Sequence, residues 1–306
     1  MKRHKPTEPT HTAPRSKPVG GARSGGLHVV ATPIGNLADI TLRAIEMLKD
    51  ADVIACEDTR VTGKLLKAHD ISTPLLSYHD HNAERVRPTL LKRLERGGSV
   101  ALVSDAGTPL LSDPGYRLVR ACIEAGVPVT AAPGPTAAVM ALVLSGLPPD
   151  RFVFAGFLPG RSAARRAALG ELAPIRATLV FFESPRRLAA TLTDMAAVLG
   201  DREAAVAREL TKLYEEVRRG RLGELAAGYR QSGPPKGEIV VVVGPPERAA
   251  RAAADPDERL KAALERLSLR DAAAAVAAAT GLPKREVYAR ALTLVTARGG
   301  RKRKRG

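Results

Sequence analysis

The 306-residue sequence has no tryptophan, and its aromatic content is only 3%. So few aromatic side chains argue against a platform on which several nucleic-acid bases stack in succession. Long apolar runs are missing as well. A membrane helix needs roughly 18 apolar residues, and the longest candidate, Ala137 to Leu144, is interrupted at Ser145 and Gly146. We therefore expect no membrane span.

Cysteine is nearly absent. Cys56 and Cys122 make no disulfide framework, and the basic N-terminal stretch lacks the apolar region of a signal peptide, so we expect a protein of the reducing cytoplasm. The sequence also lacks the phosphate loop of nucleotide triphosphatases, the G-x-G-x-x-G fingerprint of dinucleotide dehydrogenases, and the Cys-x-x-Cys and His-x-x-x-His pairs of zinc sites. We expect none of these activities and no bound metal.

Positive charge is abundant but unevenly placed. The formal net charge is +16, of which residues 1–26 carry +5 and residues 298–306 carry +6, so that residues 27–297 carry only +5. Cationic arms attract polyanions without sequence specificity, because binding releases counterions. We interpret both arms as RNA-binding segments, with a solubilising tail or a base-composition bias toward arginine and alanine as the alternative.

After residue 26, short β-branched runs alternate with helical patterns, which predicts an α/β protein with a parallel, doubly wound sheet. The segment Leu147-Pro-Pro-Asp150 marks a boundary between two α/β domains. The predicted organisation is a disordered basic arm (1–26), an N-terminal α/β domain (27–147), a second α/β domain (148–245), a helical appendage (257–297) and a basic tail (298–306). In the appendage, the turn Gly281-Leu-Pro283 between two helical patterns is typical of a helix-turn-helix or of a plain helical hairpin.

The predicted strands fall at regular intervals in both halves. They are Leu27–Ala31, Val53–Cys56, Pro74–Tyr78, Ser99–Val103 and Val127–Ala131 in the first, and Phe152–Phe157, Ala177–Glu183, Ala204–Arg208, Tyr214–Arg219 and Glu238–Val243 in the second. Ligands of open α/β sheets bind beyond the carboxyl ends of the strands. The loops after the first, fourth and fifth strands are rich in proline and glycine, which favours a ligand held by main-chain groups.

Seven segments carry a resemblance to a known family: ATPIGNLADIT (31–41), ACEDTR (55–60), VSDAGTPLLSDPGYRLV (103–119), AAPGPTAA (131–138), FFESPRR (181–187), ARELTKLYEE (207–216) and GEIVVVVG (237–244). Together they resemble the tetrapyrrole methylase superfamily, and within it the branch that methylates the ribose 2′-oxygen of cytidine 1402 in 16S ribosomal RNA. The resemblance implies two α/β domains with S-adenosylmethionine folded in the cleft between them. It also implies the small ribosomal subunit as partner and a homodimer.

The resemblance further implies which residues contact the cofactor. They are Pro33, Ile34 and Gly35 in the first loop, Gly107, Thr108, Pro109 and Ser112 after the fourth strand, Thr136 and Ala137 after the fifth, and Phe182, Glu183 and Leu210 in the second domain. Two positions depart from the superfamily pattern, because Thr108 replaces an acid and Glu183 lies where porphyrin enzymes often have methionine. These departures fit the RNA branch and leave the individual contacts open.

A ribose hydroxyl is a poor nucleophile at neutral pH, so a general base would assist its methylation. Our catalytic candidates are Asp58 and His79, which follow the second and third strands beside Glu57 and Asp80. Asp58 is equally typical of a helix N-cap, and His79 and His81 are equally typical of exposed loop histidines. Lys212 and Glu215 in the second domain are further alternatives.

Three arginines lie beside the cleft loops. Arg60, Arg186 and Arg187 are candidates to bind RNA phosphates bidentately, with surface charge pairing as the alternative. Two other functions stay open at this point. A methylase of a corrin or porphyrin precursor would share the cofactor loops, and a non-catalytic ribosome-assembly factor would share the RNA-binding arms.

Overall fold

The computed structural model describes residues 25–110, 115–246 and 256–302. Most of the predicted N-terminal arm therefore lies outside the described residues. The chain forms two compact units, of which the larger holds both β-sheets and the smaller holds the C-terminal helices.

The first sheet has five strands in the order β3-β2-β4-β1-β5. The strands are β1 (Gly26–Val30), β2 (Val53–Cys56), β3 (Leu75–Ser77), β4 (Ser99–Leu102) and β5 (Val129–Ala132). Every pair in this sheet is parallel, which confirms the predicted doubly wound arrangement. The predicted and observed strand ends differ by at most two residues, and those of β2 coincide.

Four helices connect these strands and cover the sheet, and a fifth follows β5. They are α1 (Leu42–Asp50), α2 (Thr59–Ala68), α3 (Ala83–Glu95), α4 (Tyr116–Glu124) and α5 (Ala137–Ser145). One hydrophobic cluster packs α1 and α2 on one face of the sheet, and a second packs α3 and α4 on the other. Local sequence signals place the helix ends, since the Thr41 hydroxyl accepts from the Ala44 N–H at 3.1 Å and caps α1.

The second sheet is mixed, with the order β6-β7-β10-β8-β9. Its strands are β6 (Phe152–Phe157), β7 (Thr178–Glu183), β8 (Glu203–Arg208), β9 (Glu216–Arg221) and β10 (Ile239–Val243), and its helices are α6 (Ser162–Leu172), α7 (Leu188–Leu199) and α8 (Leu222–Ser232). Only β6 and β7 run parallel, and β10 is antiparallel to both of its neighbours. The apolar strand β10 is buried along its whole length, as predicted for a central strand. The prediction that β9 begins at Tyr214 was wrong, because this residue belongs to the preceding loop.

Helix α5 joins the two halves. It is apolar around its circumference, and Ala138, Ala141 and Leu142 pack against Val240 and Val242 of the second sheet. The predicted boundary at residue 147 directly follows this helix. The two sheets consequently share a hydrophobic core and form one unit.

The smaller unit contains three helices where the sequence predicts them. They are α9 (Pro256–Ala263), α10 (Leu269–Thr280) and α11 (Lys284–Lys302). Leu260, Val276 and Val287 form their core, and Ser268 caps α10 by accepting from the Asp271 N–H at 3.2 Å. Helix α11 continues to Lys302, into the segment predicted as a tail. None of the helices in the described part of the chain is long and apolar enough to cross a membrane.

Candidate cofactor site

The loops after β1 and β4 are fixed to each other at the carboxyl edge of the first sheet. Thr32 and Gly107 exchange two backbone hydrogen bonds, with N–O distances of 2.9 and 3.1 Å. The Thr32 hydroxyl also donates to the carbonyl of Ser104 at 3.1 Å. Because β4, β1 and β5 are neighbours in the sheet, this pair of loops lies beside the loop after β5.

The third loop is held by a side chain and by close packing. The Thr108 hydroxyl donates to the carbonyl of Pro135 at 3.1 Å. A Cβ at Gly134 would lie 2.8 Å from the Cβ of Ala31, so a side chain at this position would displace the loop from β1. The three proline- and glycine-rich loops thus form one rigid wall.

This wall and the second sheet enclose a cavity of about 390 Å³. The cavity is lined from the first half by Ile34, Ala106, Gly107, Thr108, Thr136 and Ala137, and from the second half by Phe157, Phe182, Glu183, Ser184, Pro185, Ala207, Leu210, Gly237, Glu238, Ile239 and Val240. Its volume is within the range of about 300–1,000 Å³ that is usual for small-molecule sites.

Eight of the twelve predicted cofactor residues line the cavity: Ile34, Gly107, Thr108, Thr136, Ala137, Phe182, Glu183 and Leu210. Pro33, Gly35 and Pro109 are chain neighbours of lining residues and do not line it themselves. Ser112 lies outside the described residues.

Sequence reasoning missed the start of β10 and the end of β6. Gly237 to Val240 line the cavity because β10 is antiparallel to β7 and β8, so its amino end lies at the edge where those two strands end. The direction of β10 has no signal in its composition, so the rule for loops that follow strands does not point to its amino end. Phe157 at the end of β6 was missed although Gly156 is a typical bulge residue.

A loop of the second half closes over the first loop. The Asn36 N–H donates to the Thr211 hydroxyl at 3.2 Å, and the Lys212 side chain runs across Gly35, where an added Cβ would lie 2.4 Å from the Lys212 Cγ. The Lys212 ammonium donates to Glu209 and Glu238, at 2.9 Å each. Glu215 accepts from the Thr211 N–H at 2.6 Å. Lys212 and Glu215 therefore stabilise the shape of this loop.

The sequence comparisons agree on one family. The family model described as Tetrapyrrole (Corrin/Porphyrin) Methylases matches residues 26–226, and the model described as RsmI C-terminal HTH domain matches residues 250–295. Proteins named Ribosomal RNA small subunit methyltransferase I are similar along most of their length. The one from Erythrobacter litoralis is 55% identical, covering 89% of this chain and 96% of its own, and the one from Escherichia coli O157:H7 is 47% identical, covering 88% and 95%. The chain belongs to the tetrapyrrole methylase family, in the branch of ribosomal RNA small subunit methyltransferase I.

Solved structures show the same fold as this tetrapyrrole methylase. Diphthine synthase superposes with a TM-score of 0.56 at 17% identity and covers 71% of this chain and 89% of its own. Uroporphyrin-III-C-methyltransferase from Thermus thermophilus superposes with a TM-score of 0.53 at 24% identity and covers 72% and 94%. Both sheets therefore have the arrangement of known methylases.

The cavity of this tetrapyrrole methylase has the chemistry that a nucleoside cofactor requires. Ile34, Ala137, Phe182 and Leu210 supply apolar walls for a flat base. Gly107 and the start of α5 also line the cavity, and Thr136 makes no side-chain cap to the first N–H groups of this helix. Helix N-termini and close-packed backbone are typical partners of hydroxyl and carboxylate groups. The lining residues therefore fit S-adenosylmethionine.

Glu183 is a buried part of the cavity wall, with only 3% of its surface exposed. Its carboxylate accepts from the Thr191 hydroxyl at 2.5 Å and from the Ser184 N–H at 2.7 Å. It also pairs with Arg187, with a distance of 3.2 Å between Nε and Oε1. These partners hold the carboxylate within the wall and tie it to the turn after β7.

Asp58 is placed as the N-cap of α2 and does not line the cavity. Its carboxylate accepts from the Arg60 N–H at 2.8 Å, and the Arg60 guanidinium donates to both of its oxygens. The hydrogen bonds from the Arg60 side chain and backbone lower the pKa of Asp58 to about 2. These hydrogen bonds fit the capping interpretation of Asp58, and its catalytic role stays a prediction.

Glu57 and His79 lie at the same edge of the first sheet, also outside the cavity lining. Burial raises the pKa of Glu57, and the nearby carboxylates of Asp105 and Asp80 raise it further. The Nδ1 atom of His79 is buried and has no hydrogen-bond partner. No group of three or more histidine, cysteine or acidic side chains within the described residues is arranged to hold a metal ion.

The three candidate phosphate-binding arginines differ in their surroundings. Arg60 is the most open, with 87% of its side chain exposed. Arg186 is exposed in the turn after β7. Arg187 instead donates to the Leu158 carbonyl at 2.6 Å while it pairs with Glu183. This geometry assigns Arg187 to the internal structure of the site. Arg60 forms a surface ion pair with Asp58, and binding of phosphate by Arg60 and Arg186 stays a prediction.

Proposed function

We propose that this chain is an S-adenosylmethionine-dependent methyltransferase that methylates the ribose 2′-hydroxyl of cytidine 1402 in 16S ribosomal RNA. The cavity between the three pinned loops and the second sheet carries this proposal, because its walls suit the nucleoside of the cofactor. Relatives 44–55% identical over most of the chain, all named Ribosomal RNA small subunit methyltransferase I, support the substrate class.

Orientation is the main task of the protein in this reaction. When bound, S-adenosylmethionine supplies an electrophilic methyl group. Correct placement of reacting groups contributes about 7–11 kcal/mol to lowering a barrier. The rigid contacts of Thr32 with Gly107 and of Thr108 with Pro135 preorganise the site for such placement. Leu210, 6% exposed and held by the loop that closes over Gly35, completes the apolar side.

A proton must leave the ribose hydroxyl during the transfer. Among the carboxylates after β2, Glu57 is the better proposed acceptor because its pKa is raised, whereas that of Asp58 is lowered. His79 remains the second proposed acceptor, since its buried Nδ1 has no hydrogen-bond partner and lies at the same edge of the first sheet. Arg60 and Arg186 are proposed to bind RNA phosphates.

We also propose a cytoplasmic homodimer. Helix α5 buries one side against the second sheet, while Val139, Met140 and Val143 on its other side stay exposed, Val143 by 66%. An exposed apolar face of this kind is typical of a protein contact. Sedimentation equilibrium at micromolar concentration should give twice the chain mass of 32.4 kDa, and a monomer would refute this part of the proposal.

The deciding experiment incubates the protein with radiolabelled S-adenosylmethionine and three acceptors in parallel: small ribosomal subunits that lack the methyl group, naked 16S RNA, and a precorrin mixture. We expect label on the ribose of cytidine 1402 in at least one RNA sample. Label on a precorrin alone would identify a corrin methylase. Binding of RNA without any transfer would identify an assembly factor.

A further inference from the structure

Phe157 is an exposed aromatic side chain on the cavity wall. It is 59% exposed, although the whole sequence contains only five phenylalanines, five tyrosines and no tryptophan. The apolar residues deeper in the cavity are buried, with Ile34 and Leu210 at 6% exposure each. Phe157 therefore lies where the cavity meets solvent.

A β-bulge places Phe157 in this position. Strand β6 pairs with β7 at Phe154 and Val180, and then at Phe157 and Phe182, so three steps along β6 match two along β7. Regular pairing would bring Gly156 opposite Phe182 instead. Gly156 has a φ of +63°, which a glycine adopts without strain. Because of the extra residue, Phe157 and not Gly156 lies opposite Phe182 on the cavity face. Bulges near active sites commonly redirect a side chain in this way.

The ring is held in a fixed orientation. It packs edge-to-face on Phe182, with ring centroids 5.5 Å apart and planes at 60°, and Phe182 packs in the same way on Phe154 at 4.8 Å and 67°. Such aromatic pairs are favourable by about 0.5–1.5 kcal/mol beyond their buried area. A ring that is already ordered loses little conformational entropy when a ligand stacks on it.

Arg187 ties the backbone beside Phe157 to the turn after β7. Its guanidinium donates to the carbonyl of Leu158, the next residue along the chain, and is itself paired with the buried carboxylate of Glu183. Arg186, in the same turn, is exposed. The turn that carries the exposed Arg186 is thus tied, through Arg187, to the backbone beside Phe157 at the solvent edge of the cavity.

We propose that Phe157 stacks on the base of the nucleotide whose ribose is methylated, with Arg186 on an adjacent phosphate and Glu183 and Arg187 as positioning residues. This inference rests on the proposed function. Proteins that act on single nucleotides in structured RNA commonly unstack the base and stack it on an aromatic side chain. In this arrangement the buried walls enclose the cofactor. The RNA base arrives from solvent and covers the exposed ring of Phe157.

The test compares Phe157→Ala, Phe157→Leu and Phe157→Tyr with the wild-type protein. Steady-state methylation of under-methylated small subunits gives kcat and KM for RNA, and calorimetry gives the affinity for S-adenosylhomocysteine. Because loss of one base stack costs about 1–3 kcal/mol, we expect Phe157→Ala to lower kcat/KM for RNA by about 5- to 150-fold. Phe157→Tyr should retain activity and Phe157→Leu should not, since leucine is apolar but has no flat face.

Phe152→Ala is the matched control. Phe152 is the first residue of the same strand, is 44% exposed, and does not line the cavity. This variant should keep both the RNA parameters and the cofactor affinity. Wild-type kinetics for Phe157→Ala and Phe157→Leu would refute the stacking proposal alone, and so would a loss of cofactor affinity without a change in RNA parameters. Failure of the wild-type protein to methylate RNA would instead refute the proposed function.

Discussion

Replacement of Gly107 by alanine tests whether the pinned loops shape the cofactor cavity. Gly107 has a φ of +82°, and an alanine Cβ there would lie 3.3 Å from the Ile34 Cγ2, a tight contact with a residue of the cavity wall. The left-handed backbone costs an L-residue about 1–2 kcal/mol. We expect Gly107→Ala to unfold at a temperature several degrees lower, since each kcal/mol corresponds to about 2–4 °C in a domain of this size.

The same substitution should weaken cofactor binding. The free protein relieves part of the strain by moving Ile34 and the Thr32–Gly107 bridge, and binding must restore the original geometry. If about 1 kcal/mol is relieved in this way, the affinity for S-adenosylhomocysteine falls roughly fivefold. Differential scanning calorimetry measures the first effect, and isothermal titration calorimetry measures the second.

Gly126→Ala is the control for this prediction. Gly126 follows α4 with a φ of +69°, but nothing lies within 4 Å of an added Cβ. This variant should lose similar stability from the backbone and keep full cofactor affinity. Equal affinities of the Gly107→Ala and Gly126→Ala proteins would show that the loop bridge does not shape the binding site.

Three further predictions concern the residues after β2 and the cationic rim. Glu57→Gln should lower kcat by about 10²- to 10⁴-fold, while Asp58→Asn should keep kcat within a few-fold. A large loss of kcat in Asp58→Asn and a small one in Glu57→Gln would identify Asp58 as the base. In an NMR titration the Asp58 carboxylate should protonate near pH 2, because its folded-state pKa is lowered. Its stabilising contribution as a helix cap is therefore complete above pH 3.8 and is lost as the pH falls through 2. A titration midpoint near 3.8 would contradict the pairing with Arg60. Arg60→Gln and Arg186→Gln should each reduce the salt dependence of RNA binding by about one unit of slope with cofactor affinity intact, and unchanged slopes would remove both residues from the RNA site.

The first half of the fold was predictable because each of its elements carries a local signal. Alternating strand and helix patterns predict a parallel sheet. The loops that contain Pro33, Gly107 and Pro135 follow three strands that are neighbours in the observed order. The rule that ligands bind beyond strand ends located these three loops. The resemblance supplied the individual contact residues in both halves.

The remaining features depend on tertiary contacts that leave no local signal. The antiparallel direction of β10 brings its amino end to the cavity, and the register shift in β6 brings Phe157 there in place of Gly156. From the sequence, Arg187 is a candidate to bind RNA phosphate. Its pairing with the buried carboxylate of Glu183 is visible only in the structure. Asp58 fitted two roles from sequence, and its pairing with the Arg60 side chain became visible only in the structure.

A crystal structure of the protein with S-adenosylhomocysteine is the most direct test of the account. We expect the nucleoside to lie in the cavity between the loops after β1, β4 and β5 and the second sheet, in contact with Ile34, Thr136 and Leu210. A nucleoside bound at any other place on the chain would contradict the assignment of this cavity as the methyl-donor site.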